Sequence, residues 1–214
     1  MRVFVTGATG FVGSAVLNEL LQRGHRVTVL ARNPAKLAAR EGLTVVAADA
    51  QDAAQVAKAA AGHDAVVSAY NPGWENPNIH DEFLKGTRAI IDGTKAAGVR
   101  RFLMVGGAGS LFVAPGVQLV DTPQFPADWK QGALAAREML NRLRAGDSGL
   151  DWTFLSPSAE FVEGERSGHY TLGKDHLLIG ADGKSWITFA DYAIAMLDEL
   201  EKPAHSRARF TVGY

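Results

Sequence analysis

The chain has 214 residues and carries 22 Lys and Arg against 23 Asp and Glu, which leaves a formal net charge of −1. Balanced charge argues against nucleic acid as the main partner, because phosphate binding requires a local basic excess. The absence of Cys excludes disulfides, thiolate metal sites and a Cys nucleophile.

Short apolar runs alternate with segments that have the 3.6-residue period of an amphipathic helix. In chain order, the sequence predicts strand Val3–Thr6, helix Phe11–Arg23, strand Arg26–Ala31, a helix opened by Asn33 and Pro34, strand Leu43–Ala48, helix Asp52–Ala61, strand Ala65–Ala69, helix Asp81–Ala97, strand Phe102–Val105, helix Trp129–Arg144 and strand Trp152–Leu155. Strands that alternate with crossover helices form a parallel sheet. We therefore predict an α/β fold, a Rossmann-like doubly wound parallel sheet with helices on both faces.

The pattern changes after Pro157. The sequence predicts a hairpin of His169–Leu172 and His176–Ile179, a helix Asp191–Glu201 opened by the capping box Thr188-x-x-Asp191, and a last strand Arg209–Val212. This tail is too short for an independent domain. We expect a single domain over residues 1–214, in which residues from about 157 to 214 form a small C-terminal, substrate-side lobe on the same sheet.

A glycine-rich turn joins the first predicted strand to the first helix. It has the spacing G-x-x-G-x-x-G and reads Thr6-Gly7-Ala8-Thr9-Gly10-Phe11-Val12-Gly13. Such a turn lets backbone N–H groups approach a pyrophosphate, and the helix N-terminus directs its free donors and positive dipole end at the phosphates. The predicted dinucleotide contacts in this turn are Gly7, Thr9, Gly10, Phe11, Val12 and Gly13.

The same turn resembles the short-chain dehydrogenase/reductase superfamily in its atypical branch. Further segments resemble a small group of NAD(P)H-binding proteins and NADH-flavin reductases, and are similar to biliverdin-IXβ/flavin reductases and NmrA-like proteins. These segments are Met104–Leu111, Asp151–Phe161, Glu163–Tyr170 and Arg209–Tyr214. The resemblance covers nearly the whole chain, and it implies a nicotinamide dinucleotide cofactor.

The second strand indicates which dinucleotide is bound. An NAD site usually has an acid at its end, whereas this strand ends in Arg32, whose guanidinium can hold a 2′-phosphate. We therefore favour NADP over NAD; the alternative is that Arg32 is a solvated loop charge. The resemblance implies that Asp49 and Ala50 contact the adenine, although Asp49 could instead only cap the next helix.

Two further strand ends are expected to line the cofactor crevice, because ligands bind beyond the carboxyl ends of parallel strands. The fourth strand ends in Ser68, Ala69 and Tyr70, and the sixth in Ser156 and Pro157. The resemblance implies that the backbone at Ser156 and Pro157 meets the nicotinamide amide. The alternative is that both strands simply end in turns.

Most members of the superfamily use a Ser and a Tyr-x-x-x-Lys pair. Ser110 matches the Ser position and is the predicted catalytic residue, and Gly106 and Gly107 before it are predicted cofactor contacts. Trp129 and Ala133 stand where the Tyr and Lys are expected. The four Tyr are residues 70, 170, 192 and 214. Tyr170 has a Lys four positions later, Lys174, but this pair lies in the predicted C-terminal lobe and not in the helix after the fifth strand. The proton-donating pair of the superfamily is therefore missing from the helix where it is expected.

This absence shapes the functional prediction. Reduction of an isolated carbonyl requires a positioned proton donor. Flavins, quinones and bilins delocalise the added charge, so proximity and orientation suffice. We predict an NAD(P)H-dependent oxidoreductase with a flavin-like, quinone-like or other conjugated acceptor, FMN and FAD being candidate substrates. Phe112, Trp129 and Phe161 are candidate acceptor walls, with core or loop packing as the alternative.

Two other functions stay open. One is an NmrA-like redox sensor that binds dinucleotide without catalysis, and the other, disfavoured by Trp129, is a sugar-nucleotide epimerase or dehydratase. The charges of Glu163, Glu165 and Arg166 are predicted to be mainly solvated. No metal site is predicted, because the six His lack ligand spacing. We expect a cytoplasmic monomer or homodimer without membrane or nucleic-acid partners, acting on a small molecule.

Overall fold

The computed structural model describes residues 1–146 and 148–214. The strands are β1 Arg2–Thr6, β2 Arg26–Ala31, β3 Leu43–Ala47, β4 Ala65–Ser68, β5 Arg101–Val105, β6 Phe112–Ala114, β7 Val117–Gln118, β8 Asp151–Ser156, β9 Glu160–Val162, β10 Thr171–Gly173, β11 Trp186–Thr188 and β12 Ala208–Gly213. The helices are α1 Phe11–Gln22, α2 Ala53–Ala60, α3 Ile79–Ala96, α4 Ala127–Arg144 and α5 Phe189–Glu201. Within the described residues, no helix is both long and apolar enough to cross a membrane.

Eight strands form the main sheet, in the order β10-β12-β8-β5-β4-β1-β2-β3. Seven of them are parallel, and only β10 runs antiparallel, against β12. The chain adds strands outward from β1 to β3, then returns to place β4 on the other side of β1. This reversal opens a crevice at the carboxyl ends of β1 and β4. The predicted Rossmann-like fold is confirmed.

Helices cover both faces of the sheet and bury its apolar strands. Helices α1 and α5 pack together on one face, over residues such as Val5, Leu155 and Val212. Helices α2, α3 and α4 cover the other face, over residues such as Phe4 and Phe154. Burial on both faces explains why the central strands read as continuous apolar runs.

Two local predictions are wrong. Asn33 accepts a hydrogen bond from the Ala35 N–H at 3.1 Å, but only a single 3₁₀ turn follows, over Pro34–Lys36. None of these three residues is buried, and a short helix without a buried face has little to stabilise it. The hairpin does not form either: β10 pairs with β12, and His176 instead forms a bridge with Phe112.

Candidate functional site

An open cleft lies at the carboxyl ends of β1, β2, β3 and β4. Six of the residues predicted from the sequence line it: Gly7, Thr9, Arg32, Asp49, Ala50 and Tyr70. Gln51, Asn71 and Glu82 line it as well, and the sequence analysis did not single them out. Gln51 and Asn71 lie just beyond Ala50 and Tyr70 in sequence, which is the signal that could have identified them.

Two glycines of the turn are required by the packing of the protein itself. Gly7 has φ +78°, and a Cβ there would lie 2.2 Å from the Ala69 carbonyl oxygen. A Cβ on Gly13 would lie 2.0 Å from the carbonyl oxygen of Gly7. Gly7 therefore lets β1 turn beside β4, and Gly13 lets α1 approach that turn.

Gly10 differs from both of them, because nothing in the protein crowds it. The atom nearest to a Cβ at Gly10 would be the Gly7 carbonyl oxygen, at 3.5 Å. Gly10 is the N-cap of α1, and among the described residues no side chain accepts a hydrogen bond from the backbone N–H groups of the first turn. The first turn also contains no acidic residue. The open backbone donors and the positive helix end fit a pyrophosphate, so the turn passes a structural test for a dinucleotide.

The adenosine end of the cleft contains Arg32 and the segment after β3. Arg32 is exposed, lines the cleft and forms no ion pair with any residue that the structure describes. Asp49 does not cap α2; Asp52 does, since its Oδ1 accepts from the N–H groups of Ala54 at 2.9 Å and Gln55 at 3.1 Å. Asp49 instead accepts from the Gln51 N–H at 2.9 Å, which shapes the turn that borders the cleft.

At the end of β4, one predicted site residue packs inside the protein and another lines the cleft. Ser68 is buried, and its Oγ accepts from Thr6 Oγ1 at 3.1 Å, so this hydroxyl joins β1 to β4. Tyr70 lines the cleft, and its hydroxyl accepts from Gln51 Nε2 at 3.1 Å and donates to the Glu82 carbonyl oxygen at 3.3 Å. Burial is the main cause that raises the pKa of Tyr70. The Tyr70 hydroxyl is therefore held by Gln51 and Glu82 at the wall of the cleft.

The expected nicotinamide end does not line this cleft. A Cβ on Gly106 would lie 2.1 Å from the Phe154 ring, and one on Gly107 would lie 3.4 Å from Ala136. Both glycines thus let the loop after β5 pack closely on the sheet and on α4. Ser156 and Pro157 are buried at the end of β8. Their predicted contacts with a nicotinamide stay predictions.

Ser110 has surroundings that its sequence position did not indicate. It is 2% exposed, and its Oγ accepts from Arg209 Nη1 at 3.3 Å. Its carbonyl oxygen accepts from Gln118 Nε2 at 3.0 Å. A hydroxyl held in this way anchors its loop, and its catalytic role stays a prediction.

The three aromatic candidates have separate neighbours. Phe161 packs against Phe189 and Tyr192, each with ring centroids 4.7 Å away. Phe112 packs on the His176 ring at 5.9 Å. Trp129 is 54% exposed in the first turn of α4.

One neighbour of Phe161 belongs to a row of rings beside the glycine turn. Phe189 also stacks on Phe11 at 6.0 Å, and Phe11 is 78% exposed at the first position of α1. The row from Phe161 through Phe189 to Phe11 therefore reaches the turn. The sequence analysis missed Phe189, whose only signal was its position directly after Thr188.

The loop at residues 163–170 is more tightly bound than its charge pattern indicated. Arg166 donates from Nε and Nη2 to the two carboxylate oxygens of buried Glu19, at 2.8 and 2.9 Å. The sequence predicted a mainly solvated charge, whereas the Arg166 side chain forms an ion pair with Glu19. Within the described part of the chain, no group of three or more His, Cys, Asp or Glu side chains is arranged to hold a metal ion.

Comparisons with known proteins agree with this geometry. A family model for NAD(P)H-binding proteins matches residues 7–203. The uncharacterized protein YwnB of Bacillus subtilis is 42% identical, covering 99% of this chain and 98% of YwnB.

Two solved structures resemble the chain over its whole length. A Bacteroides thetaiotaomicron protein provisionally described as an epimerase has a TM-score of 0.93 and 46% identity, covering 100% of this chain and 96% of that one. A Streptococcus pneumoniae protein provisionally described as an NADH-flavin reductase has a TM-score of 0.86 and 33% identity, covering 100% and 99%.

The matched range includes the glycine turn, the cleft and the loop after β5. Together with the relatives, this match supports an oxidoreductase that uses a nicotinamide dinucleotide. The chain belongs to the NAD(P)H-binding family, in the atypical group of short-chain dehydrogenase/reductase proteins.

Proposed function

We propose that this protein is an NADPH-dependent reductase whose second substrate is a conjugated acceptor of the flavin or quinone type. The observation that carries the proposal is the pairing of an open dinucleotide turn with the absence of the proton-donating pair from α4. At the two positions of that pair, α4 presents an exposed Trp129 and a buried Ala133. The Ala133 Cβ would lie 2.9 Å from a Cβ on Gly109, so Ala133 packs closely against the loop after β5.

The cofactor-binding residues divide by the part of the dinucleotide that they would hold. In the proposal, the N–H groups of the first turn of α1 bind the pyrophosphate, Arg32 binds the 2′-phosphate, and Asp49 and Ala50 border the adenine. Tyr70 orients the ribose side of the cleft. Gly106, Gly107, Ser156 and Pro157 supply backbone at the nicotinamide end.

A bound reduced nicotinamide supplies the hydride for this chemistry. The chain's own contribution is to exclude water and to hold two planar rings in contact. The aromatic row of Phe161, Phe189 and Phe11 supports a planar acceptor, because its rings lie beside the glycine turn and Phe11 presents an exposed face. Phe112 and Trp129 are weaker candidates for the acceptor wall, since neither belongs to this row: Phe112 packs on His176, and Trp129 is exposed in α4.

The proposal is tested by following NADPH oxidation with FMN, FAD, riboflavin and a quinone such as menadione. We expect turnover with at least one of these acceptors and none with a simple aldehyde or ketone. Tight NADPH binding without turnover on any conjugated acceptor would contradict the proposal. Turnover on an isolated carbonyl would contradict it as well, because α4 lacks the Tyr and Lys pair that would supply the proton.

The preference for NADPH over NADH is a separate part of the proposal and rests on Arg32. A charge-assisted hydrogen bond contributes about 1.5–3 kcal/mol, or about 10- to 100-fold in affinity. We expect Arg32→Asp to weaken NADPH binding by at least that factor and to change NADH binding by less than about threefold. Arg26→Asp is the matched control, since Arg26 is an exposed Arg at the opposite end of β2 and the charge change is the same.

The affinities are measured by titrating each cofactor against the protein and following nicotinamide fluorescence. If Arg32→Asp and Arg26→Asp leave NADPH affinity equal, Arg32 does not recognise the 2′-phosphate. If Arg32→Asp weakens NADPH and NADH equally, the residue contributes general charge and not cofactor selection.

A second candidate function is a redox sensor that binds the dinucleotide without chemistry. The observation in its favour is the 2% exposure of Ser110, which leaves the predicted catalytic hydroxyl turned into the protein. A sensor of this kind binds NADP and NADPH with similar affinity and reduces none of the acceptors above. An enzyme with the proposed activity is distinguished by steady-state turnover.

A further inference from the structure

Arg209, in β12, has a fully buried guanidinium that contacts three separate segments of the chain. Its side chain is 0% exposed. Nη1 donates to Ser110 Oγ at 3.3 Å and to Ser156 Oγ at 3.2 Å, and Nε donates to Asp175 Oδ1 at 2.9 Å. A buried guanidinium with several hydrogen bonds fixes the distances between its partners, because its donors form a rigid planar fork.

The partners of Arg209 lie where the proposed function locates the nicotinamide end. Ser110 ends the short turn that follows β5 and begins with Gly106 and Gly107. Ser156 is the last residue of β8. The two Ser side chains therefore belong to two strand ends that are neighbours in the sheet. Arg209 therefore links these two strand ends through the hydrogen bonds of its guanidinium.

Asp175 connects Arg209 to two further segments, the end of α4 and the strand β6. Its carboxylate also accepts from Arg144 Nη2 at 2.6 Å, at the end of α4. Its carbonyl oxygen accepts from the Phe112 N–H at 2.8 Å, and the Leu177 N–H donates to the Phe112 carbonyl oxygen at 3.0 Å. Burial raises the pKa of Asp175, but the bonds from Arg209 and Arg144 outweigh it and lower the pKa overall.

We propose that Arg209 is the positioning residue of the nicotinamide end: it holds the loop after β5 against the end of β8 and so sets the spacing of the two backbone segments that meet the ring. The inference rests on the proposed function, because it needs a nicotinamide bound between these segments. It assigns Ser110 and Ser156 to the same unit, as the hydroxyls through which Arg209 acts.

Arg101 is a natural comparison, because it is a second buried Arg on the same sheet. It lies at the first position of β5, at the amino edge, and donates to Thr153 Oγ1 at 2.8 Å and Glu199 Oε1 at 2.9 Å. It therefore has similar burial and a similar carboxylate partner, but it is at the edge of the sheet remote from the cleft. Both Arg residues are placed to stabilise the fold, whereas only Arg209 is placed to position the nicotinamide end.

The experiment compares Arg209→Lys with Arg101→Lys, and Ser156→Ala with Ser158→Ala. Ser158 is a matched control, since it is equally buried but donates to the Val212 carbonyl oxygen, at 2.9 Å. We expect Arg209→Lys to lower kcat at least tenfold while the NADPH dissociation constant changes less than threefold, and Ser156→Ala to lower kcat about fivefold. Arg101→Lys and Ser158→Ala are expected to keep the wild-type kcat. The two Ser variants remove one hydroxyl each, so folding is retained.

Hydrogen exchange gives a readout that does not depend on turnover. In Arg209→Lys we expect faster exchange in peptides that cover residues 106–118, and in Arg101→Lys we expect wild-type exchange there. Equal exchange in these two variants would overturn the inference, as would wild-type kcat in folded Arg209→Lys and Ser156→Ala. Absence of turnover in the wild type would contradict the proposed function, and the exchange result would still decide whether Arg209 holds the loop.

Discussion

The N-termini of α1 and α5 lie on the same face of the sheet, but the backbone donors of α1 are open, whereas a side chain caps those of α5. Both helices begin near the carboxyl edge of the sheet, and each has the positive end of its helix dipole there. At α1, Gly10 leaves the backbone donors open. At α5, Thr188 Oγ1 accepts from the Asp191 N–H at 3.1 Å, so the protein itself satisfies the helix end.

Asp191 extends this closure well beyond the helix. Its carboxylate is buried and accepts from the Gly168 N–H at 2.9 Å, from Tyr214 OH at 2.6 Å and from Ser167 Oγ. It therefore attaches both the loop at residues 163–170 and the C-terminal residue to α5. The difference is that one helix end keeps its backbone donors open, whereas its neighbour already holds a carboxylate of the protein.

The largest expected effect comes from making α1 resemble α5. The substitution Gly10→Asp adds a carboxylate at an N-cap that has space for it, and two charges 4 Å apart repel by about 4 kcal/mol at an effective dielectric constant near 20. We expect NADPH affinity to fall at least about 100-fold, while stability stays the same or rises by a few tenths of a kcal/mol. Fluorescence titration and thermal melting measure the two quantities.

Gly10→Ala is the control for this change, since it adds volume without charge. We expect it to cost less than Gly10→Asp, at about tenfold in affinity. Wild-type NADPH affinity in Gly10→Asp would show that the α1 end does not bind the pyrophosphate.

The reverse change opens the end of α5. Asp191→Ala leaves buried donors without an acceptor, and we expect the free energy of unfolding to fall by about 2–4 kcal/mol. Asp198→Ala on the same helix is the control, because Asp198 is 52% exposed and its contacts with Arg23 and the Tyr170 hydroxyl should together contribute about 1 kcal/mol or less. Urea unfolding at pH 7 measures both. Similar losses in the two variants would contradict the special role of Asp191.

The carboxylate of Asp191 also predicts a dependence on pH. Burial raises its pKa, but hydrogen bonds from Ser167, Tyr214 and Gly168 outweigh it and keep the pKa below the ordinary value of 3.8. A carboxyl with a lowered pKa in the folded state contributes its full stability above the unfolded pKa and loses it as pH falls through the folded pKa. We therefore expect wild-type stability to drop more than that of Asp191→Asn between about pH 5 and pH 2. Parallel curves from urea unfolding would be evidence against this linkage.

The smallest effect concerns Thr188, whose hydroxyl caps α5 and also hydrogen-bonds the Glu165 carbonyl oxygen and the Tyr214 hydroxyl. Thr188→Ala removes the side chain that caps α5 and should cost about 1 kcal/mol. Ser14→Ala is the comparison in α1, where the hydroxyl only donates to the Phe11 carbonyl oxygen at 2.7 Å and is exposed. We expect that variant to change stability by less than about 0.5 kcal/mol. Equal losses in thermal melts would mean that α5 gains nothing from its cap.

The sequence predicted the fold well because its signals are local. Strand runs, helical periodicity and helix-ending glycines repeat through the chain, and the turn at residues 6–13 follows directly from residue spacing. Arg32 and Tyr70 could be placed in the cleft by the same reasoning, because the carboxyl ends of neighbouring parallel strands share one edge.

The errors occur where partners are distant in sequence. The segment at Thr171–Gly173 is a strand, but it pairs with β12, which offers a free edge about 40 residues later. Asp191 was interpreted as half of a capping box, yet its carboxylate is used by Ser167, Gly168 and Tyr214. Ser110 was assigned by position in a motif, and only the folded chain shows that it lies on Arg209, 99 residues away.

By itself the sequence determined the parallel sheet, the glycine turn and the absence of a Tyr-x-x-x-Lys pair from α4, since each depends on the order of residues over short spans. The tertiary structure decided which of those residues are free to meet a ligand. The motif predicts Gly7, Gly10 and Gly13 together. Packing within the protein requires glycine at positions 7 and 13, whereas nothing in the protein crowds Gly10. Burial and pairing depend on atoms brought together from remote segments, so the roles of Ser110, Arg166 and Arg209 appear only when the chain is folded.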